Sequence, residues 1–378
     1  MILRQRRRNL LALAAVPALL VSLAACGGQA DSAEPGAGSS GASSAAGESV
    51  AEARTLAGEM KQPLKEEIPT SSAKIASGKS IVVIPCTYAS EACARGADAA
   101  MEAAAFLGWE ARMIDPAGDP EKSRQAVDQA VQLGADGIVF TAGVGDLIEA
   151  NLQAARDAGI FTVTTMEPAD DRFDVSIAPD EDLAGKMAAA AIAADSNGAG
   201  KVIVVTDPQY PSVMLRTEAF EKWLPELCAD CEIVETIETQ FSQMQTNLPA
   251  QVQATLTAKP DVNYIWTYTG AAVAALQPTV ERSANGDAIR MLSFDGNSAN
   301  LDFITQGKGQ AFDVIKPMEY TGYLAVHELN NLFAGETDGT KTLVMPARLV
   351  DADSMPELPW AGDTDWKGSF ETLWNSAK

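Results

Sequence analysis

Apolar residues along this chain gather into short unbroken runs, each followed by a longer stretch with helical spacing. "KSIVVIPC" (79–86) is β-branched and does not alternate, as expected of a strand covered on both faces. The alanine-rich "SEACARGADAAMEAAAFLGW" comes next and closes near Gly108, which predicts a helix with a glycine stop. The alternation continues with strand "EARMID", a helix from Pro120 to Leu133, strand "DGIVFT", a helix from Asp146 to Ala158 and strand "IFTVTTM". A second series opens at "KVIVVTD" (201–207) and runs through "EIVETIET", "VNYIWTY", "IRMLSFD" and "QAFDVI" with helical segments between. Strand starts recur at about the length of a βα unit, so each series predicts a doubly wound parallel sheet. The expected fold class is α/β, with two Rossmann-like lobes joined near "FDVSIAPDEDLAGK" (173–186).

The first 25 residues follow a different pattern. Arg4, Arg6, Arg7 and Arg8 precede an uncharged apolar run from Leu10 to Ala25, the layout of a signal peptide. That run is shorter than the roughly 18 to 20 residues of a membrane span, and Pro17 interrupts it. It ends in Leu23-Ala24-Ala25-Cys26, which resembles the bacterial lipobox, in which the cysteine is acylated and becomes the first mature residue. An ordinary signal peptide with an incidental cysteine is the alternative. Arg7-Arg8 faintly resembles a twin-arginine signal, so both Sec and Tat export stay open. Gly27 to Ser49 holds no large apolar side chain, which predicts a disordered tether over residues 26–50, followed by an N-terminal extension over 51–78.

Charge narrows the choice of partners. Without the four arginines of the leader, 24 basic residues face 51 acidic ones, a net of −27. Phosphate backbones would be repelled and no basic cluster occurs, so no nucleic-acid partner is expected. Beyond Cys26, four cysteines fall into two close pairs, Cys86 with Cys93 and Cys228 with Cys231. Outside the cytoplasm disulfides are the default, although four cysteines permit three connectivities. The single histidine, His327, sits in "YLAVHELNNLF" at helical spacing, so no metal site is expected. No cofactor motif is present, and a monomer is expected.

The order "LGWEARMIDPAGDP", "GADGIVF", "DAGIFTVTT", "APDEDLAGKMAA", "RTEAF" and "LSFDGN" resembles the type I periplasmic binding proteins, the ribose-binding-like solute receptors of ABC importers. The resemblance spans residues 79 to about 350. It implies three chain crossings between lobes, with 79–178 plus 317–342 forming the N-terminal lobe and 179–316 plus 343–378 the C-terminal lobe. It also implies a ligand cleft between them, an ABC permease as partner and no catalytic residues.

In open parallel sheets, ligands sit beyond the carboxyl ends of the strands. Those ends offer Thr87, Tyr88, Thr141, Glu167, Asp180, Asp207, Gln209, Tyr210, Tyr268, Thr269, Asp295, Asn297 and Lys316. Carboxylates and amides serve vicinal hydroxyls, and aromatic faces cover C–H surfaces, so the mixture suits a carbohydrate. By resemblance, Arg216 matches a ligand-contacting arginine and Asp295 a hydroxyl-binding aspartate, and the two are expected to converge as a donor beside an acceptor. Several positions depart from the sugar-binding pattern. Met166-Glu167-Pro168 stands where Asp-Arg is usual, Thr269-Gly270 replaces Asn-Asp, and the paired phenylalanines of the first loop are missing, leaving Tyr88 as the nearest aromatic. An amine-bearing or other non-pentose solute therefore also fits. A secreted hydrolase using cleft carboxylates, and a sensor presenting its solute to a signalling partner, are the competing readings. DNA-binding repressors that share this lobe fold need an N-terminal helix-turn-helix, where this chain has the lipobox and tether.

The anchor yields a direct expectation. Cys26→Ser moves the protein from the membrane fraction to the medium and leaves solute binding intact, as fractionation and immunoblotting would record; undiminished membrane retention would argue against lipidation.

Overall fold

Alternating strands and helices build two six-stranded sheets, and the computed structural model describes residues 40–336 and 341–378, with side chains from Gly47 onward. The signal peptide, Cys26 and the first part of the expected tether lie outside the described residues. The chain begins with α1 (Ser40–Met60), β1 (Ser80–Pro85), α2 (Glu91–Phe106), β2 (Glu110–Met113), α3 (Pro120–Leu133), β3 (Gly137–Thr141), α4 (Gly145–Asp157), β4 (Phe161–Thr165) and β5 (Val175–Pro179). It continues with α5 (Glu181–Asp195), β6 (Lys201–Thr206), α6 (Pro211–Leu227), β7 (Glu232–Glu238), α7 (Met244–Ala258), β8 (Tyr264–Thr267), α8 (Gly270–Glu281), β9 (Arg290–Phe294), α9 (Ser298–Thr305) and β10 (Gln310–Ile315). Last come α10 (Met318–Phe333), β11 (Lys341–Met345), β12 (Arg348–Val350) and α11 (Trp366–Ser376).

The N-terminal lobe has strand order β11-β5-β4-β3-β1-β2, parallel throughout. The C-terminal lobe has order β12-β10-β9-β8-β6-β7, in which only β12 runs antiparallel to its neighbour. Helices cover both faces, so the central strands are buried along their length, as their unbroken apolar runs require. Local chemistry sets the helix ends that the sequence marked. Asp119 caps α3 by accepting from Glu121 and Lys122 N–H, Pro120 starts it, and Gly134 stops it at φ 66°.

Residues 41–378 form one compact unit, and within it the expected three crossings occur at 179–181, 315–318 and 345–348. Two additional crossings were not anticipated. α1 buries Ala53 and Ala57 against the C-terminal lobe, and the extension then reaches the N-terminal lobe, where Ile68, Ile75 and Ala76 pack on the core. The C-terminal residues also return. The expected assignment of 343–378 to the C-terminal lobe holds for β12 and for Met355 and Trp360, which pack with Leu301, Ile304 and Ile315, but not for β11, which pairs with β5, or α11, which docks on the N-terminal lobe.

The reason is aromatic packing. Trp366, Phe370 and Trp374 recur every four residues, forming one apolar stripe on α11. That stripe meets Tyr320 and Tyr323 of α10, with Tyr323 and Trp374 stacked at 5.5 Å between ring centres. The tether expectation also needs correction at its end, because α1 starts at Ser40, inside the segment assigned to residues 26–50. Alanine favours helix, and Val50, Ala53 and Ala57 supply a buried face for it.

His327 lies in α10 as expected, buried, with its Nδ1 accepting from the Trp374 indole N–H at 3.2 Å. Burial depresses its pKa to about 4, so it stays neutral at physiological pH. Truncating the stripe should be costly. Trp374→Ala is expected to lose about 3 to 5 kcal/mol of stability in denaturant unfolding, whereas a loss below about 1 kcal/mol would mean that α11 is not part of the N-terminal core.

Candidate functional site

The carboxyl ends of both sheets face each other across a crevice, and the residues lining it come from the turns and helix starts that follow the strands. The N-terminal wall is Cys86 after β1, Ser90, Ala92 and Cys93 around the start of α2, Ala142 after β3, and Met166 with Glu167 after β4. The opposing wall carries Tyr210, Ser212, Val213 and Arg216 at the start of α6, then Phe241, Tyr268, Thr269, Asp295 and Lys316. The lobes approach closely and leave a cavity of about 60 Å3. One wall is thus mostly sulfur and methyl groups with Ser90 and Glu167 as its polar members, and the other concentrates hydroxyls and charges.

Backbone geometry marks the same place. Among the described residues other than glycine, five have φ in the left-handed region, and three of them, Ala142 (60°), Met166 (70°) and Asp295 (90°), line the crevice. Each immediately follows the last residue of a strand, where the chain turns sharply out of the sheet. Conformations of this kind cost free energy and persist where surrounding structure imposes them.

Charge is arranged around Arg216. Its Nε and Nη2 each donate at 2.6 Å to the Glu181 carboxylate, its Nη1 donates to the Tyr268 carbonyl at 3.0 Å, and its plane lies 4.3 Å from the Phe294 ring centre. Lys316 approaches Glu181 at 3.4 Å and Asp295 at 3.7 Å. All four ionisable side chains are buried. Burial and the Arg216 guanidinium lower the Lys316 pKa, while Arg216 and Lys316 hold Glu181 below the usual carboxylate range against the opposing effect of burial.

Gly185 makes the pair possible. A Cβ there would stand 2.5 Å from the Ala219 Cβ and 2.8 Å from the Arg216 carbonyl, so glycine lets α5 approach α6 one turn beyond Glu181 and Arg216. Across the crevice Glu167 accepts from Ser212 N–H at 3.0 Å and from Ser212 Oγ at 2.8 Å. Burial pushes the Glu167 pKa up to about 7 despite those two donors. Behind Asp295, Asp313 accepts from Ser293, Gln310 and the Gly296 N–H, and burial pushes it to about 7 as well.

The structure brings Glu167, Tyr210, Arg216, Tyr268, Thr269, Asp295 and Lys316 together at the crevice. It places four other candidates elsewhere. Tyr88 is 45% exposed and donates its hydroxyl to Asp98, because its loop turns outward at a backbone bond to Asp115. Thr141 is buried beneath α2, donating to the Cys93 carbonyl. Asp180 is exposed and caps α5 through Leu183 N–H. Asp207 is buried as a brace that accepts from Gln209 N–H, Phe241 N–H and, at 3.4 Å, the Tyr268 hydroxyl.

Arg216 is also not paired with Asp295 as expected, since its guanidinium is committed to Glu181. The residues that sequence reasoning missed are Glu181, Ser212 and Phe241. Glu181 is one position from Asp180 in a run of three acids, and only the helix phase decides which carboxylate turns inward.

Two doubly wound lobes closing on a shared crevice define a type I periplasmic solute-binding architecture. Residues 81–337 match the periplasmic binding protein domain family, and the chain belongs to that family. Its members bind solutes and are not enzymes. The chain is 24% identical over 246 residues to the ribose import binding protein RbsB of Bacillus subtilis (strain 168), covering 64% of this chain and 77% of that one. Among solved structures it is similar to an ABC transporter solute-binding protein from Agrobacterium vitis with bound allitol, with TM-score 0.67, 20% identity, and 74% and 97% of the two chains covered. It is likewise similar to a solute-binding protein from Burkholderia graminis in complex with D-arabinose, with TM-score 0.66, 20% identity and the same coverage.

The raised carboxyl pKa of Glu167 predicts a pH signature. A carboxyl whose folded pKa lies above its unfolded value contributes stability that is complete below the unfolded pKa and is lost as pH rises through the folded one. Relative to Glu167→Gln, the wild type should therefore gain about 1 kcal/mol between pH 8 and pH 6. Thermal unfolding of both proteins across that range reads the difference, and parallel curves would place the Glu167 titration outside it.

Proposed function

We propose that this chain is a lipid-anchored, extracytoplasmic receptor that captures a small polyhydroxylated solute, a sugar or sugar alcohol, between its lobes and delivers it to an ABC permease. The observation that carries this reading is the asymmetry of the crevice. A hydroxyl-rich solute presents donors and acceptors along its edges and C–H groups on its faces. Thr269, Asp295, Lys316 and the tyrosine hydroxyls suit the edges, and the wall of Cys86, Ala92, Cys93, Ala142 and Met166 suits a face. That wall stands where stacking phenylalanines are missing. The allitol and D-arabinose bound in the similar structures support the same class.

Export supports the anchor. Leu23-Ala24-Ala25-Cys26 fits lipidation, and in an oxidising compartment the pairs Cys86–Cys93 and Cys228–Cys231, with Cα atoms 6.1 and 5.3 Å apart, serve as disulfides. The first would hold the start of α2 against the end of β1 and so fix the apolar wall.

Calorimetric titration with pentoses, hexoses and alditols tests the solute class, and heat-free titrations throughout would remove carbohydrates from consideration. With whichever solute binds, Asp295→Ala is expected to weaken affinity at least about thirtyfold, the lower end of about 2 to 5 kcal/mol for leaving a buried polar partner unpaired. Arg216→Ala behaves differently. It leaves Glu181 with Lys316 as its remaining cationic partner, so it should lower the unliganded melting temperature, with a cost of about 3 to 5 kcal/mol. An unliganded melting point unchanged in Arg216→Ala would assign the pair to recognition alone.

A further inference from the structure

Two glutamates of the N-terminal lobe cap helices of the other lobe in the same way. Glu167, after β4, receives the backbone N–H and the hydroxyl of Ser212 in the first turn of α6. Glu91, at the start of α2, receives the backbone N–H at 2.8 Å and the hydroxyl at 2.7 Å of Ser298, the first residue of α9. In neither helix does the residue preceding the first turn supply a side-chain cap of its own. The first-turn donors that a local cap would satisfy are met instead by a carboxylate from across the crevice, where the helix dipole also favours negative charge.

One turn along α2 from Glu91, Arg95 adds a third link. Its Nη1 donates to the Asp295 and Gly296 carbonyls of the opposite lobe while Glu319 of its own lobe grips the other edge of the guanidinium. The solute cavity lies among these contacts, with Glu167 and Ser212 in its lining and Asp295 beside the Arg95 link.

We propose that Glu91 and Glu167 are interlobe pins that stabilise the closed arrangement of the lobes, each by capping a helix of the opposite lobe through a serine. The pins differ in accessibility. Ser298 is exposed and can exchange its partner for water, whereas Ser212 is buried in the crevice, so water reaches the Glu167 contact only as the lobes part. A solute that enters the crevice then takes the place of Ser212 on Glu167 and must bring a donor there. This last consequence rests on the crevice being the solute site, but the pinning itself does not.

The test uses the full chain without solute. Spin labels on Gln132→Cys in the N-terminal lobe and Glu221→Cys in the C-terminal lobe, both exposed, give the interlobe distance distribution by double electron–electron resonance. The expected result is a resolved short-distance population in the otherwise unmodified protein. The closed-to-open ratio should fall about tenfold in Ser212→Ala, the effect of losing one charge-assisted hydrogen bond, and at least as far in Glu91→Ala, which loses both bonds to Ser298.

Glu91 lies outside the cavity lining and its contact is exposed, so Glu91→Ala keeps the measurement meaningful even where a change at Ser212 disturbs packing. A parent protein with no short-distance population, or distributions in the Glu91→Ala and Ser212→Ala chains that match the parent, would overturn the proposal. Because no solute is present, a wrong solute class leaves this outcome unaffected, and failed pins leave the calorimetric titrations unaffected.

Discussion

The buried ion pair between Glu181 and Arg216 is the constraint on which the crevice depends. Two charges removed from water are tolerated only when each is fully partnered. Here the carboxylate takes both edges of the guanidinium and also approaches Lys316, while the guanidinium reaches a carbonyl and an aromatic face. Satisfying these partners fixes α5 against α6 and brings the loops after β8, β9 and β10 to one place. Gly185 is the packing counterpart, since any larger residue there would part the helices that carry the pair.

From that anchor the two walls acquire different characters. The C-terminal lobe holds most of the charge, compensated internally, and so presents a preorganised polar surface whose groups cannot turn away. The N-terminal lobe contributes mostly small and sulfur-bearing side chains, with Glu167 as its ionisable group in the lining. A protein that closes on its ligand gains from this division. The polar wall can orient a solute while the lobes are apart, and the apolar wall excludes water as they meet. Left-handed backbone at Ala142, Met166 and Asp295 reflects the same requirement, because the chain must leave the sheet abruptly to bring these positions to the crevice.

The extensions at both ends change how the lobes are joined. The three crossings between β5 and α5, β10 and α10, and β11 and β12 are supplemented by residues 61–78 and 351–365, which bond to each other. Glu66 accepts from the N–H groups of Asp363 and Thr364, and Asp363 in turn pairs with Arg348. The two added segments therefore behave as one belt. Relative motion of the lobes has to bend this belt or slide beneath it, and the number of covalent crossings grows without any change in the two sheets.

Much of this was legible in the sequence. The β-branched runs located nine of the twelve strands among the described residues but not β5, β11 or β12, Pro120 and Gly134 bounded α3, and polar residues at strand ends marked one side of the sheets for a site. These are properties of neighbouring residues, and local sterics or burial on both faces leave little choice. Tertiary structure decided which polar groups face the crevice. Asp180 and Glu181 are equivalent in composition, and helix phase alone turned the second inward. Tyr88 looked like the missing aromatic until its loop bonded to Asp115 and swung out. The stripe of Trp366, Phe370 and Trp374 announced a buried helix face, but only the aromatic cluster on α10 determined which lobe would bury it, because an apolar stripe specifies burial and not a partner.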